Sequence, residues 1–127
     1  MNKVLENLRY AKTHEWADFT SDTTVRIGIS DFAQHELGDL VFINLPEVGD
    51  SVTAGEAFGD VESVKAVSDV LSPVTGVVTA VNQELLDHPE LINEDPYANW
   101  FIEVNDVAAE SDLMTAAEYE TFCKEAH

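Results

Sequence analysis

The chain has 127 residues, 45% of them hydrophobic, and sets 25 acidic side chains against six basic ones, for a formal net charge of −19. That length suits one domain with a core of its own, so residues 1–127 read as a single domain. The charge makes nucleic acid and anionic membrane surfaces poor partners, because phosphate would be repelled, and favours salt-sensitive encounter with basic protein surfaces. No run of eighteen apolar residues occurs, so no transmembrane helix is expected. The stretch Met1 to Leu8 has neither the apolar core of a secretory signal nor the Arg-rich character of a transit peptide. A single cysteine, Cys123, excludes an internal disulfide and fits a reducing compartment.

In chain order, Arg9 to Trp16 mixes aromatic and polar residues, as a half-exposed strand does. Val25, Ile27 and Ile29 alternate with polar or small residues after a turn at Ser21-Asp22, and the two segments read as an antiparallel pair. The period changes at Ser30. Ser30 or Asp31 suits a helix N-cap, Gln34 follows Asp31 by three, and Gly38 suits the end, so a short helix is expected with Phe32 and Leu37 buried. Leu40 to Ile43 is an apolar run read as a central strand, closed by Pro46 and Gly49.

Gly59 to Val70 holds two Val-rich strands around a bend at Ser63-Val64-Lys65-Ala66. A lysine on such a tip points into solvent. It serves either as a solubilising charge or as a residue displayed for covalent modification, and position alone leaves both open. Val48 to Ala54 before this hairpin and Val74 to Val81 after it echo each other, which suggests a flattened barrel or sandwich with quasi-two-fold symmetry. Glu84 to Pro96 reads as a loop from its turn residues, and Trp100 to Val104 as a further strand. Thr115 and Glu118 have capping-box spacing and Met114 and Tyr119 that of a hydrophobic staple, so a terminal helix runs to near Lys124.

Glu62-Ser63-Val64-Lys65-Ala66, followed by Ser68-Asp69 and Ser72-Pro73-Val74-Thr75-Gly76, resembles the lipoyl-attachment segment of the glycine cleavage system H proteins. The likeness extends to Lys12-Thr13-His14-Glu15-Trp16, Gly28 to Gln34, Leu37 to Phe42, Leu45 to Gly49 and Leu91 to Tyr97. It implies a mainly β (α+β) barrel-sandwich hybrid of the lipoyl-domain type, with a core over about residues 23–105, a short internal helix, and a helical segment over about 111–125. It further implies lipoate joined through Lys65, with Glu62, Ser63, Val64 and Ala66 forming the turn that the lipoate-attaching enzyme recognises. The implied role is non-catalytic carriage. The arm would take an aminomethyl group from a pyridoxal-phosphate glycine decarboxylase to a tetrahydrofolate-dependent aminomethyltransferase, and dihydrolipoyl dehydrogenase would reoxidise it. Thr13, Glu15 and Asp69 match the positions that would hold the loaded arm, and the implied location is bacterial cytoplasm, or the mitochondrial matrix for a mature eukaryotic form. Where the family has a Gly before the tryptophan after Pro-Tyr, this chain has Asn99, which accepts a left-handed conformation, so a locally altered turn is expected.

The remaining chemistry is sparse. His14, His35, His88 and His127 lack paired metal spacing, and no metal site is expected. Cys123 sits in a helical pattern beside Phe122 and reads as a partly buried structural thiol. A biotin carrier is disfavoured, because Lys65 stands between Val64 and Ala66 rather than between methionines. Two other roles stay open: a donor that relays lipoate to other enzymes, and an acidic interaction domain with an unmodified lysine.

Overall fold

The computed structural model describes residues 4–110 and 112–126. The first segment is not one strand but two. β1 (Arg9–Ala11) and β2 (Glu15–Phe19) are separated by a turn in which His14 adopts φ 77°. β2 then pairs antiparallel with β3 (Val25–Ile29), as the alternation predicts. Tyr10 and Trp16 are buried rather than half exposed, because both face the terminal helix region.

α1 (Asp31–Leu37) begins at Ser30, whose Oγ accepts from Ala33 N, and ends at Gly38, whose φ of 82° favours glycine. Phe32 is buried as expected. The second buried residue is Gln34 rather than Leu37, which is only half-buried. Gln34 is tolerated inside because its amide is satisfied: it donates to Asp31 Oδ1 at 2.7 Å and accepts from Asn93 Nδ2 at 3.0 Å.

β4 (Leu40–Asn44) is an edge strand, contrary to the central position predicted. Among the described residues it pairs only with β6 (Ala57–Ser63), which pairs with β7 (Val67–Leu71), giving a three-stranded sheet ordered β4-β6-β7. The pairing Leu40↔Ser63 is followed by Phe42↔Glu62, so Val41 is an extra residue in a bulge. The bulge lets Leu40 and Ile43 both face inward while Val41 and Phe42 face solvent. Four apolar residues in a row therefore do not mean burial on both faces here. β4 also crosses close over β6: a Cβ on Gly59 would stand 2.2 Å from the carbonyl oxygen of Asn44.

The larger sheet adds β5 (Ser51–Val52), β8 (Val74–Val81), β9 (Ile102–Glu110) and β10 (Leu113–Met114), in the order β10-β1-β2-β3-β9-β8-β5. The two segments that echo each other in sequence meet directly, with Ser51 opposite Val77 and Val52 opposite Gly76. Val25, Ile27, Ile29, Val78, Ile102 and Val104 from the large sheet pack with Leu40, Ile43, Val61 and Val70 from the small one. Burial of these branched side chains between two sheets is the main favourable term holding them together.

Residues 84–96 are not a plain loop. They form two single-turn helices, α2 (Glu84–Asp87) and α3 (Leu91–Glu94), which bury Leu85 and Ile92 in the core. Four residues are too few for a 3.6-residue period to appear. The strand predicted from Trp100 begins at Ile102 and runs to Glu110, well past Val104. Asn99 does not take a left-handed backbone. Its Nδ2 instead donates to the carbonyls of Leu91 and Asp95, closing the end of α3. α4 (Ala116–Ala126) starts with the predicted reciprocal cap: Thr115 N donates to Glu118 Oε1 at 2.8 Å and Glu118 N to Thr115 Oγ1 at 3.3 Å. It seats Tyr119 on Tyr10, with ring centroids 4.4 Å apart and planes 4° from parallel. Cys123 is partly buried on this helix, and burial raises the pKa of its thiol.

Candidate functional site

The hairpin between β6 and β7 is built by Ser63. Its N–H donates to the Ala66 carbonyl at 2.8 Å, and its Oγ accepts from Lys65 N at 3.3 Å and Ala66 N at 3.1 Å. A short hydroxyl side chain that turns back on the following backbone is the usual way to fix such a bend without glycine. Ser63 is buried, while Val64, Lys65 and Ala66 stand in solvent. Glu62 is half-buried on β6, and Asp69 is exposed on β7 opposite Asp60.

Lys65 lies over the junction between α1 and β4. A Cβ placed on Gly38 would be 3.6 Å from Lys65 Cε and 4.0 Å from Nζ. Asn93 holds that junction in place: its Nδ2 donates to the Gly38 carbonyl at 2.9 Å, and its Oδ1 accepts from Leu40 N at 2.9 Å. Gly38 and Asn93 thus support the lysine from elements far away in sequence. The sequence signals the glycine as a helix end but gives no sign that Asn93 reaches it.

The other end of β7 holds the second feature. Glu15 is 2% exposed. Leu71 N donates to its Oε2 at 2.9 Å, and Thr13 Oγ1 donates to its Oε1. Among the described residues no cation pairs with this carboxylate. Burial raises its pKa to about 7, against the lowering effect of the Thr13 and Leu71 bonds. Glu15 and Thr13 line a cavity of about 210 Å³ together with Ala11, Leu71 and Ser72, and Lys12 and Asp112 also border it.

The structure therefore brings Thr13 and Glu15 together and places both far along β7 from Lys65. Asp69 lies between. Val67, Asp69 and Leu71 alternate with Ser68 and Val70 and so share the outward face of the strand. Val67 to Leu71 spans about 13 Å at the usual rise per residue. The predicted set is one track rather than one pocket, with the lysine at its head and the buried carboxylate at its foot. Among the described residues no group of three candidate metal ligands forms. His14 instead packs on Phe32, with Nδ1 2.7 Å from Tyr119 Oη, and His88 meets Glu90. His127 lies outside the described residues.

Two packed sheets that present a lysine on a tight hairpin define the class of lipoyl-type carrier domains. The comparisons carry this further. The sequence pattern of the family described as "Glycine cleavage H-protein" matches residues 8–126. The glycine cleavage system H protein of Lachnoclostridium phytofermentans is 56% identical over 122 residues, covering 96% of each chain. That of Coprothermobacter proteolyticus is 52% identical over 126 residues, covering 97% of this chain and 99% of its own. The crystal structure of a glycine cleavage system H protein from Mycobacterium marinum superposes with a TM-score of 0.91 at 42% identity, covering 95% of this chain and 99% of that one. The chain belongs to the glycine cleavage H-protein family.

Proposed function

We propose that Lys65 carries lipoate in amide linkage and that this chain is the non-catalytic shuttle of glycine cleavage. It would move the aminomethyl group of glycine from a pyridoxal-phosphate decarboxylase to a tetrahydrofolate-dependent aminomethyltransferase, with dihydrolipoyl dehydrogenase as the third partner and a lipoate-attaching enzyme installing the arm. When bound, lipoate supplies the redox-active sulfur pair on which the transferred group travels. The bacterial sources of the relatives support a cytoplasmic setting.

The chain's own residues do the rest. Ser63 fixes the turn, so the Lys65 amine projects from a rigid base. Gly38 leaves room for the lysine to lie down or lift away. The outward face of β7 offers a path for an apolar arm past Val67 to Leu71. Thr13 and Glu15 lie at the end of that path, and Asp69 beside it. The residues fit the group: the cavity, bordered by Lys12 and Asp112, combines the side chains of Ala11 and Leu71 with a buried carboxylate that, among the described residues, pairs with no cation, which suits a methylene chain ending in an amine. The supporting observation is this placement of an exposed lysine and a buried, cation-free carboxylate at opposite ends of one strand.

Intact mass of the protein from lipoate-replete cells is expected to show a lipoyl increment on Lys65. Lys65→Arg is expected to lose both the increment and glycine–bicarbonate exchange with the decarboxylase. Ordinary exchange by the Arg variant would end this proposal, and a lipoylated parent without exchange would leave relay of lipoate as the role.

A further inference from the structure

Large apolar side chains stand exposed around Lys65: Val41 is 54% exposed, Phe42 47%, Val64 77% and Val67 63%. The sheet register gathers them. Phe42 lies opposite Glu62, and Glu62 opposite Val67, so the three form one row across the outward face. Val41 is the bulged residue beside that row, and Val64 sits on the turn just beyond it. The next row on the same face is Asn44, Asp60 and Asp69, and Glu36 and Asp39 stand exposed at the α1–β4 side. An apolar patch with an acidic border complements an apolar surface edged with Lys and Arg.

Reach decides which partner meets it. Enzymes that act on the end of a lipoyl arm work roughly 14 Å from the Lys65 Cα. An enzyme that makes the amide must instead draw in the amine itself, only about 6 Å from that Cα. Such an enzyme has to lie against the side chains immediately around the lysine, among them those of the β4 edge that faces it across Gly38.

Resting on the assignment of Lys65 as the acylated residue, we propose that Val41, Phe42, Val64 and Val67 form the docking surface of the enzyme that acylates it. That partner presents an apolar contact area rimmed by Lys and Arg. In the docked complex the Lys65 amine attacks the acyl carbon of an acyl adenylate. The amide C–N bond forms, the bond from the acyl carbon to the AMP oxygen breaks, AMP leaves, and the amine gives up its proton. Phe42 and Val41 come from an edge strand more than twenty residues upstream of the attachment turn, so the partner reads the folded body as well as the local peptide.

The test compares Val41→Ser and Phe42→Ser with Val48→Ser, a control that is also exposed but lies on the β4–β5 turn. Attachment is followed by intact mass with a lipoate-attaching enzyme, lipoate and ATP. The first two variants are expected to lose about tenfold or more in kcat/KM, and the control to stay within about twofold. After exhaustive acylation, both are expected to support glycine–bicarbonate exchange at the parent rate. Val41→Thr keeps the shape of valine and supplies the same comparison if a serine variant loses its cooperative melt. Unchanged attachment in the patch variants, or an equal loss in attachment and exchange, would overturn the docking surface. A parent never acylated at Lys65 would instead overturn the assignment beneath it, so the two failures read differently.

Discussion

Replacing Glu15 by glutamine probes the buried carboxylate through its proton. The ordinary glutamate pKa is 4.5, and burial raises that of Glu15 to about 7 in the folded protein. Between those values the folded chain holds a proton that the unfolded chain has released. Stability from this group is therefore fully present below about pH 4.5 and is lost as the pH rises through about 7. A shift of this size corresponds to about 3 kcal/mol. The amide introduced by Glu15→Gln would mimic the protonated acid: its carbonyl still accepts from Leu71 N, and its NH₂ donates to Thr13 Oγ1, whose hydroxyl reverses its role. Urea denaturation of both proteins at pH 5, 6, 7 and 8 gives the difference directly, because every other titrating group is shared. The parent and Glu15→Gln should nearly coincide at pH 5, up to a constant offset. By pH 8 the variant should gain about 3 kcal/mol on the parent, a shift of about 1–3 M in urea midpoint. Parallel stability curves across this range would show that Glu15 does not carry a raised pKa, and the cation-free carboxylate beneath the cavity would lose its distinctive chemistry.

Two further changes test the frame around the site. Gly59→Ala would place a Cβ 2.2 Å from the Asn44 carbonyl oxygen, and backbone cannot swing aside as a side chain can. It should cost about 1–3 kcal/mol in urea denaturation and speed amide exchange along β4; unchanged stability would mean the β4–β6 crossing is looser than described. Tyr119→Phe removes a buried hydroxyl that meets Ser30 Oγ at 2.6 Å and His14 Nδ1 at 2.7 Å. Removing this bond to each group should cost about 1–3 kcal/mol and raise amide exchange in α4 and the first turn of α1 together; exchange confined to α4 would show that Tyr119 does not couple the two helices.

The legible parts of this chain are those whose cause is local. Ser63 turns back on Lys65 and Ala66 within three residues, Ser30 and Gly38 bound α1 by their own conformations, and Thr115 and Glu118 cap α4 reciprocally. Each can be read from spacing because the interaction spans four residues or fewer. The misreadings have distant causes. Leu40 to Ile43 looks central because its apolar run conceals a bulge, and the bulge exists only relative to β6. The break at His14 has no glycine or proline to announce it, and the imidazole is held by Tyr119, 105 residues away. At Asn99 the side chain, not the backbone, does the closing, because α3 leaves carbonyls within its reach. The same division runs through the candidate site. Lys65 and its turn are local, whereas the partners of Glu15 and the support of Gly38 by Asn93 come from folding.

Display and shelter make opposite demands on one side chain. In the proposed role the amine has to stand clear of the body, while a labile group on its arm has to be kept from water. For that role the two faces of β7 differ usefully: Val70 is buried in the core while Val67, Asp69 and Leu71 turn outward. A strand presents alternate side chains in a straight line, so its outer face can guide an extended chain, whereas a helix would turn the same residues away within one turn. Glu15 also limits drift of the track itself, because it belongs to β2 of the large sheet yet accepts from the last amide of β7 in the small one. The carboxylate proposed to receive the arm is thus also one that ties β7 to the large sheet.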